Sequence, residues 1–194
     1  MHGGEEGQVG GITGRVAKLL FQKIGEQKGT ARHSVSISFL QIYSERIYDL
    51  LNSSSLNNRA LSFGQGVEGL RLRWNKDEQF TVENLFLFDC GNENDLLKHV
   101  VTGLKNRITA SHKLNLQSSR SHSILSIKVE TVDGSATRNS RIDLVDLAGS
   151  ERIGLTKTEG RQAKESIDIN KSLFTLRQVI NILSENSGST KRKE

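Results

Sequence analysis

Two short polar stretches carry the residue types from which phosphate chemistry is built. Residues 115–122 read NLQSSRSH and residues 141–151 read RIDLVDLAGSE. The first sets three serines, an arginine and a histidine immediately ahead of a strand-like run. Such clusters at sheet ends often only satisfy backbone groups, but serine hydroxyls also ligate Mg2+ or phosphate oxygens in phosphoryl-transfer sites. In the second stretch Asp146 closes an apolar strand. A carboxylate there is costly unless it meets a metal or a donor. Gly149 allows a bare N–H to approach a ligand closely, and Glu151 follows, available to a fixed cation.

The elements that must position these residues are legible from periodicity. ILSIKVETV, starting at Ile124, alternates Leu125, Ile127 and Val129 inward. RIDLVDLA is apolar on both faces, which predicts a strand inside a covered sheet. The two strands form one hairpin around a DGSATRNS loop, so the polar stretches at their other ends lie close in space. Ligands bind at such strand ends in covered α/β sheets.

Upstream, residues 1–11 are Gly-rich and expected to be flexible. RVAKLLFQKIG, from Arg15, has helical spacing with Gly25 as C-cap. HSVSISFLQIY alternates as a half-buried strand, and SERIYDLLN reads as a short amphipathic turn or helix. EGLRLRW and FTVENLFLF are short strands around the charged turn NKDE. NENDLLKHVVTGLKNR is an Asn-capped helix. A long helix is expected over about residues 159–185, with Ile169, Leu173, Leu176, Val179, Ile180 and Leu183 as its apolar set. A polar, basic tail over residues 186–194 follows it. There is no internal repeat and no second domain.

Composition narrows the function classes. The 194 residues suffice for one domain with a core. No apolar run approaches the roughly 18 residues of a membrane span, and the N-terminus has no secretory pattern. One cysteine, Cys90, excludes an internal disulfide framework, fits a reducing compartment, and reads as an inert packing residue. The net charge of +5 favours acidic partners. The basic runs have no interleaved aromatics and no zinc-finger signature, which argues against nucleic acid. The histidines show no metal-ligand spacing with cysteine. The chain has no proline, for which we have no physical account.

NLQSSRSH, then LVDLAGSER, then INKSL on a long helix, in that order and spacing, resemble the motor domain of the kinesin family. FLQIYSERIYDLL and GLKNRITASHKLN resemble the family's elements ahead of them. The likeness runs from about residue 11 to residue 183. It implies an α/β fold of the P-loop NTPase kind, incomplete here, with a central mixed sheet and helices on both faces. It implies switch I at residues 115–122, switch II at 146–151 and a relay helix after them. Ser119 would match the hydroxyl near Mg2+, with Ser118 near the γ-phosphate and Asn115 the loop's asparagine. Asp146 would hold Mg2+ through water, and Gly149 would offer its N–H to the γ-phosphate. Arg120 and Glu151 would form a latch that closes on nucleotide; a guanidinium fork matches a carboxylate bidentately.

The resemblance further implies ATP and Mg2+ as cofactors, ATP hydrolysis by water coupled to movement, and microtubules as partner, with a cytoplasmic, cytoskeletal location. The basic positions expected to face acidic tubulin are Lys157, Arg161, Lys164 and Lys171, the turn residues Arg71 and Arg73, and Lys191, Arg192 and Lys193.

The chain departs from the family in one respect that matters. It contains no G-x-x-x-x-G-K-[ST] phosphate loop; the near miss GSERIGLT, residues 149–156, has Leu155 where the lysine would stand. The pattern is that of a motor domain cut after its phosphate loop, and hydrolysis by this chain alone is expected to fall below motor rates. The rival readings are a non-catalytic microtubule-binding module that has lost its nucleotide site, and an incomplete gene model of a normal motor. Without the phosphate-loop strand beside it, RIDLVDLA would become an apolar sheet edge, from which self-association is expected.

Overall fold

The computed structural model describes residues 10–27, 29–52, 69–74, 80–114, 121–149 and 161–190, with the backbone alone at 108–114, 161–170 and 187–190. The sheet is organised around β1 (Arg32–Tyr43). Its alternate residues Val35, Ile37 and Phe39 are buried, as the period of two demands. β1 pairs antiparallel with β2 (Arg46–Asp49) on one side and β6 (His122–Asp133) on the other. β7 (Ala136–Asp146) completes the order β2-β1-β6-β7, and β5 (Phe88–Asp89) adds a short pairing to β1. Every described pairing in this sheet is antiparallel. β3 (Leu72–Trp74) and β4 (Phe80–Val82) form a separate ribbon, clasped by the Trp74 and Phe80 rings at 4.6 Å.

Two helices pack on one face. α1 (Gly11–Glu26) supplies Ala17, and α2 (Glu93–Leu114) supplies Leu96 and Val100, to a core shared with Phe39, Leu125 and Ile127. Gly103 is required at the α2–β1 contact, since a Cβ there would collide with the Phe39 ring. Asn92 caps α2 as expected, its Oδ1 accepting the Asp95 N–H at 3.0 Å. α3 (Arg161–Thr190) meets the sheet differently. By strand alternation His122 points away from the face of Leu125 and Ile127, and there it meets Ser172 of α3. α3 thus touches the face opposite α1 and α2 at this point, while its described side chains from Phe174 onward are exposed.

Several local expectations are corrected. α1 starts at Gly11, before Arg15, and continues through Gly25 to a C-cap at Gln27. The Lys23–Glu26 ion pair and the Gln22–Glu26 hydrogen bond support this last turn. The stretch after Tyr43 is a strand, not a helix: Ser44 and Glu45 adopt φ of 47° and 59°, the left-handed pair that closes a two-residue hairpin. The Asp49 carboxylate then ends β2 by accepting N–H groups from Leu51, Asn52 and Phe86. FTVENLFLF divides into β4 and β5 at a turn where Asn84 has φ of 59°. The β6–β7 loop is shorter than expected, because the pairing reaches Asp133↔Ala136 and Gly134, at φ 57°, takes the turn. α3 extends past residue 185 into the expected tail.

Among the described residues β7 is covered only in part, at Leu144, which packs against the core. Ile142, Val145 and Leu147 are exposed, and among the described residues β7 pairs with β6 alone. From Phe174 onward the described α3 side chains are exposed, including Val179, Ile180 and Leu183. Among the described residues no helix is long and apolar enough to cross a membrane.

Candidate functional site

The antiparallel register sets Ser123 opposite Asp146, so the foot of β6 and the end of β7 meet as expected from the sequence. Asp146 is half-exposed and receives a short charge-assisted bond, 2.6 Å, from Nη1 of the buried Arg107. Arg107 Nη2 donates to the Ser121 carbonyl at 3.2 Å. One guanidinium therefore fixes both strand ends. The planar fork suits this double engagement, which a lysine ammonium could not reproduce.

Sequence reasoning missed Arg107. Its signal was present, because Val100, Gly103 and Arg107 repeat at helical spacing on the face of α2 that meets the sheet. An arginine on such a stripe needs a buried partner. Which carboxylate it finds, 39 residues away, depends on tertiary structure.

His122 is the second organiser. It is 8% exposed, and its Nδ1 accepts the Ala148 N–H at 3.0 Å. An amide only donates, so Nδ1 is unprotonated and Nε2 carries the hydrogen, which it donates to Ser172 Oγ at 2.8 Å. Burial pushes the imidazole below its ordinary pKa, the Arg107 charge adds to this, and Asp146 opposes it. The neutral ring is the form these bonds require. Gly149, the residue expected to face a phosphate, directly follows the amide that His122 holds.

The other expected site residues are placed unevenly. Asn115, Ser118, Ser119, Arg120, Glu151, Lys157, Lys191, Arg192 and Lys193 lie outside the described residues. Arg161 and Lys164 are on α3, where the backbone alone is described. Lys171 pairs with Glu45 at 2.6 Å, Arg73 pairs with Glu83 at 2.7 Å, and Arg71 is exposed. Both pairs are solvent-exposed and contribute little to stability. Cys90 is buried, and burial first, then Asp95 and Asp89, push its thiol up to about 11. His33 bonds Thr131, and His99 lies against the Phe88 ring at 4.8 Å, both packing roles.

Among the described residues there is no group of three or more His, Cys, Asp or Glu that could hold a metal ion. A carboxylate with one oxygen committed to a guanidinium suits a contact to Mg2+ through water better than direct ligation.

A kinesin motor domain family model matches residues 1–193. Kinesin-like protein KIN-12B of Arabidopsis thaliana is 39% identical over 96% of this chain, which spans 14% of that relative. Kinesin-like protein 3 of Schizosaccharomyces pombe is 36% identical over 90% of the chain and 30% of its own length. The solved structure of a fast kinesin superposes with a TM-score of 0.80 at 28% identity, over 96% of this chain and 50% of that one. A KIF14 dimer, with AMP-PNP and in complex with a microtubule, gives a TM-score of 0.74 at 33% identity, over 93% and 50%. The chain thus spans about half of these solved chains and a smaller part of the curated relatives. With the two strand ends joined by Arg107 and His122, and with these matches along nearly its whole length, the chain belongs to the kinesin motor domain family.

Proposed function

We propose that this chain supplies the switch-bearing part of a microtubule motor, the part that senses the γ-phosphate and passes that state to α3. The observation that carries the reading is the Arg107–Asp146 pair at the end of β7, beside the backbone that leads through Gly149 toward α3. Bound Mg·ATP supplies the γ-phosphate, whose loss on hydrolysis is the event such a site reports. Ser119, with Ser118 and Asn115 in the same loop, and Asp146 through water are the residues that would hold Mg2+ and the phosphate. Gly149 would offer its N–H to a phosphate oxygen. Arg107 holds the Asp146 carboxylate in place through a 2.6 Å bond. Arg120 and Glu151 would close the two loops on each other. The basic positions, Lys171 and Arg73 among them, would meet an acidic filament surface, in keeping with a protein of cytoskeletal microtubules in the cytoplasm. The microtubule-bound KIF14 relative supports that partner.

The latch tests this reading in the complete protein that carries the chain. Glu151→Ala is expected to lower microtubule-stimulated phosphate release by about tenfold or more while nucleotide binding changes little, since a closed-state interaction is lost and ground-state binding is not. Unchanged stimulation in Glu151→Ala contradicts the assignment.

A further inference from the structure

We propose that His122 is a positioning residue that ties the backbone at Ala148–Gly149 to α3, so that movement on the phosphate side is delivered to the helix at Ser172. The inference rests on the proposed function and adds to it the part that carries the signal. Three observations support it. Both ring nitrogens are engaged, one by a backbone amide next to Gly149 and the other by a side chain on α3. The partners lie on separate segments, and His122 stands on β6, so the ring joins three pieces of chain. The imidazole has no internal torsion, so its two hydrogen bonds are rigidly related. The Lys171–Glu45 pair also tethers α3, but through long, exposed side chains that transmit position poorly.

A histidine that merely fills space would behave differently from a coupler. Ser172→Ala removes the α3 end of the tie and leaves the Ala148 bond. His122→Asn keeps an acceptor near the position of Nδ1 but cannot reach Ser172. Ser172→Thr keeps the hydroxyl at a partly buried position. The readout is the ratio of microtubule-stimulated to basal phosphate release in the complete protein. Ser172→Ala and His122→Asn are each expected to lower this ratio about tenfold, the worth of one ordinary hydrogen bond. The double variant should be no worse than either single one, because both remove the same link. Ser172→Thr should stay within about twofold of wild type. An unchanged ratio in Ser172→Ala, or losses that multiply in the double variant, overturns the proposal.

A second measurement separates failure of the tie from failure of the functional reading. The 15N spectrum of the imidazole should show an unprotonated Nδ1 and a protonated Nε2, with exchange of the Nε2 hydrogen faster in Ser172→Ala. If microtubules do not stimulate the wild-type protein, the functional reading fails and this spectrum alone judges the tie. An Nδ1–H tautomer, or an Nε2 hydrogen indifferent to Ser172→Ala, overturns it.

Discussion

A single guanidinium decides much of the site's geometry. Arg107 is buried and its charge is met by Asp146, which remains half in solvent. Removing the cation leaves a carboxylate at a strand end without its main partner and frees the Ser121 carbonyl. Because Asp146 is partly hydrated, the loss should fall below that of a fully buried pair. Arg107→Ala is expected to destabilise by about 1–3 kcal/mol in chemical denaturation, and Arg107→Lys to recover only part of this. A loss near zero contradicts the structural role. The contrast between Asp146 and Arg107 marks what a sequence makes legible. Asp146 stood out because an acid closing an apolar run violates a local pattern. Arg107 sat in a helix where charges are ordinary, and its function lies in a contact that sequence spacing does not encode. His122 was visible only as the last residue of a polar stretch; its two partners come from β7's end and from α3.

At the scale of elements, periodicity served where packing follows it and failed where a turn intervened. α2 and the β6–β7 hairpin follow from alternation and an Asn cap. β2 did not, because IYDLL carries apolar spacing compatible with a short helix, while the Ser44–Glu45 turn that makes it a strand uses no glycine. The covered sheet expected for β7 holds only in part among the described residues: Leu144 packs against the core, while Ile142 and Val145 are exposed. The α2–β1 contact offers a direct check on the packing. Gly103→Ala forces a methyl group against the fully buried Phe39 ring, which has little room to retreat. Overpacking of this kind should cost about 1–3 kcal/mol, read as a shift in the denaturation midpoint. A neutral or stabilising effect, as expected for glycine replaced in an open helix, contradicts this close approach.

Among the described residues, the core is well covered on one side and apolar surface lies on the other. Phe39, Ile37, Leu125 and Ile127 are fully buried beneath α1 and α2. Among the described residues β7 is an edge strand with Ile142 and Val145 exposed, Leu147 just beyond it is exposed too, and α3 exposes Phe174, Ile180 and Leu183. An unpaired apolar edge templates pairing with another chain. The isolated 194-residue chain is therefore expected to self-associate in a concentration-dependent way by sedimentation. A charge placed outward on β7, as in Val145→Lys, should reduce this. A chain that stays monomeric across the accessible concentration range contradicts the expectation.

The central claim, that the chain is part of a microtubule motor, is tested most directly by pelleting the soluble protein with microtubules at low and high ionic strength. The account predicts binding at low salt that weakens as the Debye length shrinks from about 10 Å at 0.1 M to about 3 Å at 1 M. It also predicts weaker binding when Lys157, Arg161 and Lys171 are neutralised together. No pelleting at low salt, or binding that neither salt nor the neutralised residues alter, would contradict it.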